Sequence, residues 1–239
     1  DANTSKGYVE IAHRTEYLTP EGTVSFWARV DESGPESRNA FFSKDAKGFL
    51  TGGHLSIYEQ NGIYSVRMQG VSESYLLEHN HTRKAGKWIY LAFGWGKSGM
   101  ELHLDGELVA SNPYTGGLGM TSKGAGNEEP IFIGAGSWKR KTDTGQGLDG
   151  FLKGRIRGVR MYDRKLSVEE ISLLRPLVRQ IVNEAPDVLE LDGRNVDENL
   201  PAGTLVGSLH ARDPDENETL TFSLVEGVES SDNHLFRIL

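Results

Sequence analysis

The sequence predicts an all-β chain: a large antiparallel jelly-roll sandwich followed by a shorter, acidic second module. Three observations carry this. Short runs rich in β-branched and aromatic residues recur through about the first 160 residues. The 29 glycines cluster between those runs, as many strands joined by many turns require. The charge then breaks. Residues 183–239 hold 13 acidic and three basic side chains, a net of −10, whereas residues 1–182 hold 21 and 23, a net of +2. A break of that size argues for two modules with different jobs.

The elements follow in order. Residues 23–30 alternate, with Phe26 and Trp27 at their centre. Residues 54–58 and 63–68 are strands joined by Asn61-Gly62, a strong two-residue hairpin turn. Residues 88–93 form the next strand. Residues 100–104 turn at Asp105-Gly106 into residues 107–110, a second hairpin. Residues 131–133 and 154–162 close the series. Such spacing indicates a sandwich or jelly roll. One helix follows. Ser167 and Glu170 form a capping box, Ile171 and Leu174 give a buried side, and Pro176 is expected to end it. So short a helix needs a surface to pack on, and the rim of the sandwich is the expected one.

Composition excludes several classes. There is no cysteine, so a disulfide scaffold, a thiolate zinc site and a cysteine nucleophile are ruled out together. No apolar run approaches the length of a membrane span. The acidic second module argues against a nucleic-acid partner, since phosphate would be repelled. The N-terminus has no basic-then-apolar signal pattern, so export is arranged elsewhere in a longer protein or the chain starts inside one.

Two long polar loops, residues 111–129 and 137–150, are rich in glycine and carry Tyr114 and Trp138. Loops on a rigid sandwich are where binding usually sits. Trp138 and Tyr114 are therefore candidate ligand-binding residues, suited to stacking on a sugar face or anchoring a peptide. Lys139, Arg140 and Lys141 make a basic patch beside Trp138, suited to an anionic glycan or a carboxylate terminus. The competing reading has Trp138 folded back as a loop plug. Asp143 and Asp149 are a candidate calcium pair, or two solvated loop aspartates. In the second module Glu198, Asp213 and Asp215 are hard oxygen donors clustered at turns. Pro214 fixes a bend that brings Asp213 and Asp215 together, and calcium is the natural filler; solvated acids are the alternative.

Catalytic patterns are missing. Paired carboxylates on alternate residues of one strand, as glycosidases use, do not occur in residues 1–178; Glu101, His103 and Asp105 come nearest, and Asp105 reads as a turn residue. His79 and His81 offer two imidazoles but no third ligand. The nucleophile-elbow and zinc-protease motifs are absent, and Gly116-Gly117 lacks a phosphate-loop setting.

The closing segment carries a resemblance. Phe132-Ile133-Gly134, then Gly154, Ile156, Val159 and Tyr162, then Leu166-Ser167 and Glu170-Ile171, resemble the end of laminin-G-like and pentraxin-like domains of the concanavalin-like superfamily. Thr23, Ser25, Phe26 and Trp27, with Gly86-Lys87-Trp88 and Leu104-Asp105-Gly106, resemble earlier markers of the same family. The resemblance covers residues 1–178 and implies a concanavalin-like jelly roll, often calcium-dependent and ligand-binding. The chain departs from the family's metal ligands. Ala135, Gly136, Ser137 and Trp138 stand where pentraxin-like members carry acidic and amide ligands, and Arg157-Gly158 where many laminin-G-like members carry two acids.

Residues 183–239 resemble a cadherin-like repeat of the kind found in tandem in bacterial surface proteins, on Ala185-Pro186, Val196 to Gly207, the Asp213-Pro214-Asp215 triplet and residues 220–225. The resemblance implies a second, partial Greek-key sandwich, with residues 235–239 as a mid-domain strand. It implies calcium held by Glu198, Asp213 and Asp215, with Asn183 and Glu184 in the linker. The expected organisation is a laminin-G-like domain over 1–178, a linker over 179–186 and an incomplete cadherin-like repeat over 187–239. The expected function is a non-catalytic ligand-binding module of an extracellular bacterial adhesin, lectin-like if its ligand is a glycan. It would take a cell-surface glycan or a peptide, beside neighbouring repeats of the same chain. The alternatives are a structural spacer without a ligand, or the accessory domain of a secreted polysaccharide-degrading enzyme.

Overall fold

The computed structural model describes residues 7–45, 52–70, 73–81, 86–119, 127–138, 147–181, 186, 188–193, 195–197, 199–213, 220–225, 227 and 231–238, with backbone alone for 176–181. The chain divides into two compact units, Asp1–Val182 and Asn183–Leu239.

Among the described residues the first unit holds eleven strands: β1 (Val9–Ile11), β2 (Gly22–Val30), β3 (Arg38–Lys44), β4 (His54–Gln60), β5 (Ile63–Gln69), β6 (Ser74–Asn80), β7 (Trp88–Trp95), β8 (Met100–Leu104), β9 (Glu107–Asn112), β10 (Ile131–Ile133) and β11 (Gly154–Tyr162), followed by helix α1 (Val168–Ile181). They form a six-stranded sheet, β1-β10-β3-β4-β5-β6, and a five-stranded sheet, β11-β2-β7-β8-β9, with antiparallel pairing throughout. This is the concanavalin-like jelly roll.

Alternation along the strands decides what lies between the sheets. On β2, Val24, Phe26, Ala28 and Val30 enter the main core; on β7, Ile89, Leu91, Phe93 and Trp95 do so, facing Leu55, Ile57, Val66 and Met68 of the other sheet. The intervening residues are buried too. Trp27, Trp88, Tyr90 and Ala92 form a second cluster with Leu166 and Ile171, and Leu174 of α1 packs against it. The helix therefore covers the outer face of the five-stranded sheet, which is where Trp27 and Trp88 find their burial.

The hairpins turn where expected. Asn61 and Gly62 have φ of 53° and 79°, and Asp105 and Gly106 have 53° and 89°, the left-handed pairs of a type I′ turn. The capping box also forms: Ser167 Oγ accepts from Glu170 N at 3.3 Å, and Glu170 Oε2 accepts from Ser167 N at 2.9 Å. Thr23 fixes the approach to the helix by accepting from Leu166 N at 2.9 Å and donating to the Arg164 carbonyl at 3.0 Å.

Two expectations are corrected. Helix α1 does not end at Pro176 but continues to Ile181. Proline's fixed φ is helical, so its cost is the missing N–H and crowding of the preceding turn, which a helix packed on a sheet tolerates. In the second unit, the expected strand over residues 235–239 does not form as such: Asn233–Leu235 is a turn of 3-10 helix. Residues 236–238 pair with no strand among the described residues. Among the described residues of this unit, the ladder is the antiparallel pair β12 (Val188–Leu191) and β13 (Leu209–Arg212).

Candidate functional site

The outer face of the six-stranded sheet carries the site. Leu55 and Ile57 of β4 and Val66 and Met68 of β5 face the core, so Ser56, Tyr58, Ser65 and Arg67 face outward. Register sets them in rows: Ser43 beside Ser56 beside Arg67, and Ala40 beside Tyr58 beside Ser65. Arg38, at the start of β3, reaches across this face. Its Nη2 donates to Ser56 Oγ at 3.2 Å, and its guanidinium lies 3.9 Å from the Tyr58 ring centroid. Arg38, Tyr58, Arg67, Ser74 and Trp138 together line a shallow depression of about 320 Å³.

Trp138 is held at this face by the residue before it. Ser137 Oγ shares a hydrogen bond of 2.7 Å with Ser43 Oγ and accepts from Asp45 N at 3.1 Å, while Ser137 N donates to Ser43 Oγ at 3.1 Å. The half-buried Trp138 ring then sits 4.4 Å from the Arg67 guanidinium. Arg67 is itself anchored, donating to the buried Asp45 carboxylate and to Gln69 Oε1 at 2.8 Å.

Beside this face lies a buried polar cluster. Asn127 Nδ2 donates to the Lys44 carbonyl at 3.0 Å and to His54 Nδ1 at 3.0 Å. An accepting Nδ1 puts the proton of neutral His54 on Nε2, which has no hydrogen-bond partner among the described residues. Burial, then the charges of Arg67 and Lys44, push the His54 pKa down to about 4. Burial also pushes Lys44 down to about 8, against the pull of Glu129 and Glu128. Lys44 donates to the Glu129 carbonyl and meets His13 Nδ1 at 3.1 Å.

The residues singled out in the sequence are dispersed. Trp138 joins the depression. Tyr114 does not: it stacks on Tyr75 with centroids 3.7 Å apart and packs against the main core. Lys139, Arg140, Lys141 and Asp143 lie outside the described residues. Asp149 is half-buried and exchanges backbone hydrogen bonds with Gly136, at 2.9 and 2.7 Å. Of the second unit's donors, Asp213 is half-buried just after β13, while Asn183, Glu184, Glu198 and Asp215 lie outside the described residues. No group of three or more His, Asp or Glu side chains among the described residues is placed to hold a metal. The His79 and His81 rings lie 6.0 Å apart.

The nearest approach to a catalytic pair is tied up structurally. Glu101 bonds to Lys165 Nζ at 2.8 Å and lies 3.4 Å from His103 Nε2. Burial opposes ionisation of Glu101, but the Lys165 hydrogen bond and charge prevail and hold its pKa below the usual value. Asp105 Oδ1 accepts from Tyr90 N at 3.0 Å, as a turn residue does. A second depression, of about 280 Å³, is lined by Glu16, Tyr17, Thr19, Met161, Tyr162 and Asp163 and carries no basic side chain.

Sequence reasoning did not single out Arg38, Tyr58 and Arg67, which line the depression. They sit in strands, and only the cross-strand register brings them beside Trp138.

Fold and topology together define a concanavalin-like β-sandwich. The chain belongs to the Laminin_G_3 family, the Concanavalin A-like lectin/glucanases superfamily, whose match covers residues 3–172. No curated protein matches the chain. Among solved structures, it is similar to the binding domain of botulinum neurotoxin DC in complex with SialylT, with a TM-score of 0.51 and 12% identity over 72% of this chain and 40% of that one. It is also similar to the W1252A mutant of HCR D/C VPI 5995, with a TM-score of 0.50 and 14% identity over 72% and 41%. The chain thus spans about two fifths of the length of these structures, and at such identity the likeness is one of fold. No described helix is long and apolar enough to cross a membrane.

Proposed function

We propose that the first unit is a non-catalytic saccharide-binding module of an extracellular bacterial surface protein, with its site on the outer face of the six-stranded sheet. The depression lined by Tyr58, Trp138, Arg38 and Arg67 carries this reading. Sugar rings present C–H faces that stack on aromatic side chains and hydroxyls that bond to fixed polar groups, and the depression offers both kinds of partner. Membership of a superfamily of lectins and glucanases supports the reading, as does a fold shared with a binding domain solved in complex with SialylT. The carboxylates nearest to a catalytic arrangement, Glu101 and Asp105, are engaged with Lys165 and the Tyr90 backbone, which favours binding over hydrolysis. A glycan array probed with the whole chain tests the proposal. Binding that is lost in Trp138→Ala and Tyr58→Ala supports it; an array without a bound glycan overturns it.

The second unit, in the same reading, is a cadherin-like repeat stiffened by calcium. Glu198, Asp213 and Asp215, with Asn183 and Glu184, form an all-oxygen donor set of the kind calcium takes. Binding to the folded state alone raises the unfolding transition by mass action. Melting with calcium and with a chelator is the test, and an unmoved transition overturns the calcium assignment.

A further inference from the structure

The depression is lined by two guanidiniums in different electrostatic states. Arg67 is neutralised by the buried Asp45 carboxylate. Arg38 has no carboxylate partner among the described residues. Among those residues its one hydrogen bond goes to the neutral Ser56 hydroxyl, its guanidinium lies 3.9 Å from the Tyr58 ring centroid, and its buried Nε has no acceptor. A guanidinium has five donors in a fixed fork, so most of the Arg38 fork is unused. A cation partly withdrawn from water without a counter-charge is costly, and a ligand anion relieves that cost. Among the described residues, Arg38 is thus the lining cation without a carboxylate partner, and it stands with Tyr58 and Trp138 around the depression.

From this we infer that the ligand is an acidic saccharide, whose carboxylate pairs with Arg38 while its ring lies against Tyr58 or Trp138. The inference rests on the saccharide-binding reading above and names the class of sugar. A single uncompensated guanidinium matches a singly charged planar carboxylate, which it meets with two parallel N–H donors. Arg67 has a different part: held by Asp45, it positions Trp138.

Calorimetric titration of the whole chain with two matched pairs tests this: trigalacturonate against its methyl ester, and cellobiouronate against cellobiose. The acid member of at least one pair should bind ten-fold or more tighter than its neutral partner, and the preference should shrink as salt rises. Arg38→Gln should erase the preference itself, bringing the ratio of acid to neutral affinity down toward one. Equal binding of acid and neutral members overturns the inference and leaves the saccharide reading standing. So does a preference that survives Arg38→Gln. Failure of all four probes, together with an empty glycan array, overturns both.

Discussion

The Arg67 guanidinium lies 4.4 Å from the Trp138 ring centroid, so the wall of the depression rests on a cation held from below. The holder is Asp45, fully buried, while the Arg67 side chain is 15% exposed. Removing one partner of a buried pair strands the other charge. Asp45→Ala should therefore cost about 3–5 kcal/mol in urea unfolding. Asp45→Ala combined with Arg67→Met should recover much of that loss, because both charges are then gone. An Asp45→Ala variant as stable as the parent would show that the pair does not anchor the face.

Acid should destabilise the first unit through His54. Its folded pKa is about 4 against 6.5 in the unfolded chain, so the unfolded chain takes up the proton first as pH falls. The His54 contribution is complete above about pH 6.5 and is lost progressively toward pH 4, a change on the order of 3 kcal/mol. Lys44 acts over the other limb. With a folded pKa of about 8 against 10.5, it makes stability rise between those values as pH increases. Denaturant unfolding across the pH range measures both. His54→Gln should flatten the acid limb and leave the alkaline limb unchanged.

Much of this fold is legible in the sequence, for reasons that differ by element. The type I′ turns at Asn61-Gly62 and Asp105-Gly106 are local chemistry, as is the Ser167 capping box, so they need no tertiary information. Strand β3 is different. Phe41 and Phe42 stand together where alternation would separate them, because the pairing with β4 shifts between Ala40 and Phe42. That irregularity hides the strand, and with it Arg38. Tyr58 and Arg67 are visible as strand residues, but a strand alone does not say which of its faces meets the other sheet. Trp138 stands out because a tryptophan in a polar loop is unusual. Tyr114 stands out for the same reason, yet its loop folds it onto Tyr75.

The closing strand illustrates a departure that the structure explains. Arg157, where many relatives carry an acid, lies 4.1 Å from the Trp88 ring centroid and 5.9 Å from that of Trp27. Gly158 has a φ of 60° at the point where the β11–β2 register shifts. The pair thus serves packing under α1. Arg157→Lys keeps the charge but gives up the guanidinium's contact with the Trp88 ring, and should cost about 1 kcal/mol in thermal or urea unfolding.

Gly154 is required by close approach. A Cβ there would lie 1.9 Å from the Arg29 carbonyl oxygen, a backbone atom that cannot yield without breaking the β11–β2 ladder. Gly154→Ala should therefore destabilise the first unit by about 1–3 kcal/mol or more, as overpacking does. A neutral effect on the melting temperature would mean that β11 and β2 do not pair with Gly154 opposite Val30.

Trp138 and Tyr114 should separate cleanly under substitution, although the sequence presents them alike. Tyr114 is stacked at 3.7 Å on Tyr75, and its hydroxyl occupies the space that a Cβ on Gly116 would enter, 2.0 Å away. Tyr114→Ala removes an aromatic pair worth about 0.5–1.5 kcal/mol beyond its buried area, so it should lower the melting temperature and leave saccharide affinity unchanged in the folded fraction. Trp138→Ala removes a half-buried ring from the rim of the depression. It should shift the melting temperature little and weaken saccharide binding ten-fold or more, because an aromatic anchor carries a large share of the binding energy in a shallow site. Calorimetric unfolding and saccharide titration on the same two variants read both effects. If Tyr114→Ala abolishes binding while Trp138→Ala leaves it intact, the site lies on the Tyr75 side of β6 rather than on the face that Arg38, Tyr58 and Arg67 share.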